Sequence, residues 1–170
     1  MDMKNEQIPP FILSDIYRNS ITIIEEENIT QTVLLPNKNL LYLGENKKQI
    51  IILVDEENTL HLQDDSYTFL SSILNACKLN MADVAIINCN KQTISYALIK
   101  EQLKPSYCIV FGNAFQNVKI PASISLYEPT LFDNTTYLLA SELSVMKLNT
   151  QEAKIEKSKL WVSLKKIFNI

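Results

Sequence analysis

Glycine is nearly missing from this chain, with Gly44 and Gly112 the only two among 170 residues. A loop that cradles a phosphate needs glycine so that the backbone can approach the anion, which excludes nucleotide binding of the Rossmann or P-loop kind. The shortage also argues against loops shaped closely around a small ligand. Histidine is scarcer still, His61 being the only one. Cysteine is present but unorganised: Cys77, Cys89 and Cys108 are odd in number, widely separated and flanked by apolar residues. That is neither a disulfide framework nor metal-ligand spacing, and all three read as buried apolar side chains in a reducing compartment. No stretch approaches the roughly 20 apolar residues of a membrane span, and Met1 to Pro10 carries Asp2, Lys4 and Glu6 in place of a basic start and an apolar run. A soluble, cytoplasmic protein is the expectation. A basic excess is absent too, with 16 Lys and Arg against 19 Asp and Glu and a net charge of −3. Proteins whose affinity rests on neutralising phosphates usually show the opposite balance.

What is there suits one compact domain, since a chain of this length buries roughly two-thirds of its unfolded surface. Ile50 to Val54 is an unbroken aliphatic run, short and β-branched, as in a strand covered on both faces. Phe69, Leu70, Ile73, Leu74 and Cys77 recur at helical spacing behind Asp64, Asp65 and Ser66, which can cap the first turn. Val84 to Ile87 is a second buried strand, between Asp83 and Asn88. Ile94, Leu98, Ile99 and Leu103 mark a helix that should stop at Lys104, because Pro105 disfavours helical geometry in the residue before it. Tyr107 to Phe111 is a third strand, closed by Gly112. Such a series with short connections predicts an α/β fold, a three-layer α/β/α domain around a mostly parallel sheet.

The pattern loosens after Gly112, with Ile124, Leu126 and Tyr137 to Leu139 as further strand material. It sharpens again at the end, where Asn149 or Thr150 can cap a helix whose stripe is Leu160, Trp161, Leu164, Ile167 and Phe168. The stripe places Trp161 against the sheet. Lys154, Lys157, Lys159, Lys165 and Lys166 read as that helix's solvated face. Residues 1–36 read as a short helix and an irregular lead-in, and residues 37–170 as the α/β domain, with no linker between them.

Chemistry in a parallel sheet belongs at the carboxyl ends of the strands. The first such end holds Asp55, Glu56 and Glu57, which would repel a phosphate. As a magnesium site they are poorly disposed, because consecutive residues project in different directions. His61 near Asp64 and Asp65 is the one candidate general base, against the plainer reading of a surface pair. Cys77 on a helix stripe and Cys108 inside a strand are not poised as nucleophiles. No catalytic residue, metal or cofactor is expected.

The segments Phe69 to Lys91, FLSSILNACKLNMADVAIINCNK, and Leu103 to Phe115, LKPSYCIVFGNAF, followed by the Lys-rich final helix with Leu-Trp and Leu-Lys, together resemble the uracil-DNA glycosylase superfamily. The resemblance covers roughly Ile50 to Phe168. It implies a catalytic-water loop after the first strand, which falls here at Asp55 to Leu60 without glycine or proline. It also implies a His-Pro-Ser type loop before the final helix, which falls here near Ala140, Ser141 and Glu142. A glutamate there opposes both the phosphate backbone and the negative charge developing on a departing uracil. Asp55, Glu56, Asn88, Ser141 and Glu142 are accordingly the positions of a degenerate pocket, and no cysteine reproduces the iron-sulfur ligands of some branches.

A narrower likeness accounts for both fold and missing site. Ile12 to Ile23, Ile50 to Leu74 and Leu138 to Trp161 are similar in pattern to the psi subunits of bacterial DNA polymerase III holoenzymes, a non-catalytic branch. The likeness implies an adaptor in DNA replication that joins the clamp loader to a single-stranded-DNA-binding-protein complex. Its docking element would be Phe11, Ile12, Leu13, Ile16 and Tyr17, five apolar residues in a helix too short to be stable alone. The alternatives are a divergent nucleic-acid-binding protein using the C-terminal lysines, or a glycosylase acting on uracil in DNA through Asp55 or His61.

Overall fold

The computed structural model describes residues 39–170. Phe11, Ile12, Leu13, Ile16 and Tyr17, and the proposed 1–36 lead-in, lie outside them. The described residues form a mixed six-stranded sheet with helices on both faces. In chain order the elements are β1 Leu43–Gly44, β2 Ile50–Val54, α1 Asp64–Ala76, β3 Val84–Asn88, α2 Tyr96–Leu103, β4 Tyr107–Phe111, α3 Ala114–Val118, β5 Thr130–Phe132, β6 Thr135–Ala140, α4 Leu143–Met146 and α5 Gln151–Phe168. The strand order is β1-β3-β2-β4-β6-β5. The four central strands are parallel, and β1 and β5 close the edges antiparallel.

Every residue of β2 is buried because both its faces are covered. Ile50, Ile52 and Val54 meet Leu70 and Leu74 of α1 and Leu160 and Leu164 of α5 on one side. Ile51 and Leu53 meet Ile99 and Leu103 of α2 and Val118 of α3 on the other. This two-sided burial explains a run of aliphatics where a one-sided strand would alternate. Register then fixes where the strands end. Ile50 is level with both Val84 and Tyr107, and Phe111 is level with Ala140. Asp55, Gly112 and Ser141 therefore leave the sheet along one rim.

The three strands and two helices read from the aliphatic pattern stand where expected, and all three cysteines are free and buried. Burial pushes the Cys89 thiol up to about 12, with the Asp55 carboxylate adding to the effect, and raises Cys77 and Cys108 as well. The α2 helix stops at Leu103, with Lys104 left-handed at φ 45° ahead of Pro105. At α5 the cap is Thr150, whose hydroxyl accepts the Ala153 N–H at 3.2 Å.

Three expectations are corrected. Asp64, Asp65 and Ser66 do not cap α1, although Asp64 and Asp65 do lie in its first turn, where their charge complements the dipole; the helix starts after Gln63, and the Glu56 carboxylate accepts the Gln63 N–H, as described below. Ile124 and Leu126 form no strand: Ile124 packs on the core and Leu126 makes a single bridge to Leu139. Trp161 is not against the sheet but 37% exposed. The buried face of α5 runs through Ala153, Leu160, Ser163 and Leu164. Ser163 takes the inward position because its hydroxyl donates to the Tyr127 carbonyl at 2.5 Å, and this rotates Trp161 to the flank.

Candidate functional site

The shared rim at the carboxyl ends of β2, β4 and β6 is hollowed into a cleft of about 310 Å³. Asp55, Glu56 and Glu57 line it from the β2 end, Asn113 from the β4 end, and Glu142 and Lys147 from the segment after β6. Residues of the β2–α1 loop and of the segment after β6 meet there. Four carboxylates face a single ammonium.

Most of these groups are already engaged. The Glu56 carboxylate accepts the Gln63 N–H at 2.7 Å and the Ser66 hydroxyl, so it holds the N-terminus of α1, where negative charge offsets the helix dipole. Lys147 Nζ in turn donates to Ser66 Oγ at 2.9 Å. On the opposite wall Asn113 Nδ2 donates to Glu142 Oε1, and Ser144 Oγ donates to Glu142 Oε2, both at 3.1 Å. Asp55 accepts from Asn90 Nδ2 at 3.0 Å.

Asn88 lies beneath the cleft, 1% exposed. Its Oδ1 accepts the Glu56 N–H at 3.0 Å, and its Nδ2 donates to the carbonyls of Glu56 at 2.8 Å and Thr59 at 2.9 Å. An asparagine at the end of β3 thus fastens the β2–α1 loop, and its amide is spent on backbone. Ser141 turns the other way. Its hydroxyl donates to Glu156 Oε2 of α5 at 2.6 Å, and the Tyr127 hydroxyl binds both groups. Hydrogen bonds from Lys159, Ser141 and Tyr127 hold the Glu156 carboxyl down at about 2, and burial with the adjoining carboxylate raises the Tyr127 phenol. A carboxylate stabilised so far below neutral pH is a structural anchor and a poor proton acceptor.

The degenerate pocket therefore divides. Asp55, Glu56 and Glu142 share the cleft, Asn88 supports its floor from below, and Ser141 belongs to a separate tether between β6 and α5. His61 does not line the cleft, and its Nδ1 is buried without a partner rather than oriented by Asp64 or Asp65. Among the described residues no group of three His, Cys, Asp or Glu side chains is placed to hold a metal ion. Sequence reasoning missed Lys147, Asn113 and the Tyr127–Glu156 tether. All three depend on chain segments meeting across the sheet, for which spacing gives no signal. Chemically, the cleft repels anions and offers no unengaged cation to stabilise a leaving base. Comparison with protein-family models and with curated proteins returns no match for this chain.

Proposed function

We propose that this chain is a non-catalytic protein-interaction module of the uracil-DNA glycosylase-like fold, an adaptor in DNA replication resembling the psi subunit of the polymerase III holoenzyme. Four parallel strands in the order β3-β2-β4-β6 with helices on both faces support the three-layer reading of the fold. One observation carries the functional reading: Asp55, Glu56, Glu57 and Glu142 line the place where the superfamily would grip phosphate and uracil, against Lys147 alone. A phosphate entering there would lose its hydration and meet like charge, a combination that costs rather than contributes binding energy. The cleft has been given over to holding α1 and the β2–α1 loop. The test is purification of the tagged full chain from its native cells. A stoichiometric protein partner from the replication machinery supports the adaptor, whereas recovery with DNA alone, released steeply by salt, supports the nucleic-acid-binding alternative.

A further inference from the structure

The flank of α5 that faces Leu126 and Tyr127 carries a second, shallower groove of about 560 Å³, walled by Leu126 on one side and by Ile155, Ser158 and Val162 on the other. Leu126 is 55% exposed, Ile155 47% and Val162 49%, three aliphatics around one concavity that the core does not use. Ile155 and Val162 are seven residues apart and so share a helix face, with the small Ser158 between them leaving a hole. Ser158 Oγ donates to the Lys154 carbonyl at 2.9 Å, so the hole makes no polar demand on whatever fills it.

Charge selects the occupant. Lys154 and Lys166 stand at the two ends of the groove and Lys159 at its side. Lys159 is paired with Glu156 at 2.8 Å, while Lys154 and Lys166 enter no ion pair among the described residues. Twelve positions of helix separate these two residues, an axial rise of about 18 Å. The aromatic in the lining, Tyr127, has Lys159 Nζ 5.7 Å over its ring and its hydroxyl bound to Ser141 and Glu156, so it is not an open platform for stacking nucleic-acid bases. A concave surface is ill suited to a flat membrane, and the one carboxylate in the lining, Glu128, leaves lysine in excess.

We infer that this groove docks an acidic amphipathic helix of a partner protein, one that seats an apolar side chain over Ser158 and sets carboxylates against Lys154 and Lys166. The surface deepens the adaptor reading and rests on it. Uracil release bears on the adaptor reading alone, and the following mapping bears on the surface alone.

The isotope-labelled full chain is titrated with a synthetic helix of about 15 residues that carries leucines on one face and glutamates about 12 positions apart. Amide shifts at Leu126, Ile155, Ser158 and Val162 are expected. Ile155→Asp, Val162→Asp and the pair Lys154→Glu with Lys166→Glu should each raise Kd about tenfold or more, as loss of a central anchor or of both end charges does. Leu41→Asp, an exposed site beside β1 at the opposite edge of the sheet, should leave it unchanged, and a peptide with lysines in place of the glutamates should not bind. Shifts elsewhere, no shifts at all, or equal affinity for the lysine peptide would overturn the inference. So would a single-stranded oligonucleotide that claims the same residues, or self-association abolished by Ile155→Asp, which would assign the groove to a second copy of the chain.

Discussion

Gly112 is one position where a side chain would be costly, for two separate reasons. Its φ is +56°, and a Cβ there would lie 2.3 Å from Glu142 Cγ and 3.2 Å from Glu142 Cα. Glycine closes β4 so that the segment after β6 can pass directly over it and deliver Glu142 to the cleft. Gly112→Ala should destabilise the domain by about 1–3 kcal/mol, from left-handed strain plus the clash. In a Glu142→Ala background the penalty should fall to about 1 kcal/mol, the backbone part alone. Denaturant titration of the four proteins measures that coupling, and strict additivity would show that the two residues do not touch. Gly44 is constrained likewise at φ +107°, with the Val84 carbonyl oxygen 2.2 Å from where a Cβ would sit. The scarcity of glycine thus marks backbone crowding rather than ligand loops.

At the scale of elements, helix α5 is held by three different devices, and these separate in experiment. Leu160 and Leu164 are each 2% exposed, whereas Trp161 rests in a shallow cleft with Phe69, Ile73 and Ala76, its ring capped by Lys165 Nζ at 5.9 Å. Leu164→Ala should therefore cost about 2–5 kcal/mol, the range for emptying a packed site, and Trp161→Ala about 1–2 kcal/mol, for partial burial alone. If chemical denaturation ranks the two in the opposite order, the face assigned to α5 is wrong. The third device is the Glu156 tether, and its sign follows from the carboxyl lying at about 2 against an ordinary 4.5. The charged form is favoured in the fold, so the tether's contribution is complete above about pH 4.5 and fades as pH falls toward 2. Thermal melts of Glu156→Gln should show a shallower loss of stability across that window than the wild type, and parallel curves would dismiss the tether. Patterning revealed α5 but not its rotation, because Ser163 is buried by a hydrogen bond that no hydropathy stripe records. Of the β5–β6 hairpin, Tyr137 to Leu139 read as strand material and stand in β6, while β5 and the turn were missed for a different reason. Asp133 and Asn134 adopt φ of 46° and 59°, the two-residue turn these side chains favour, but β5 is only three residues long and too exposed to show a pattern. The two-residue β1 is shorter still.

For the whole molecule, the parallel centre was legible because two-sided burial writes continuous aliphatic runs into β2, β3 and β4. The candidate site was legible only as two separate loops. Their meeting depends on register, which aligns the carboxyl ends of β2, β4 and β6, and on the helix cap by which Glu56 reaches over Gln63. The same arrangement engages most of the charge at this rim: Glu56 holds the start of α1, Glu142 accepts from Asn113 and Ser144, the lysine is bonded to Ser66, and His61 stands apart. The surface proposed for interaction is the lysine-ended groove on α5. The most direct measurement is uracil release from single-stranded and mismatched uracil-containing DNA by micromolar full-length protein. No release above buffer is expected from the wild type, from Asp55→Asn or from His61→Ala. Release by the wild type would contradict the account, and its loss in Asp55→Asn or His61→Ala would identify the catalytic group responsible.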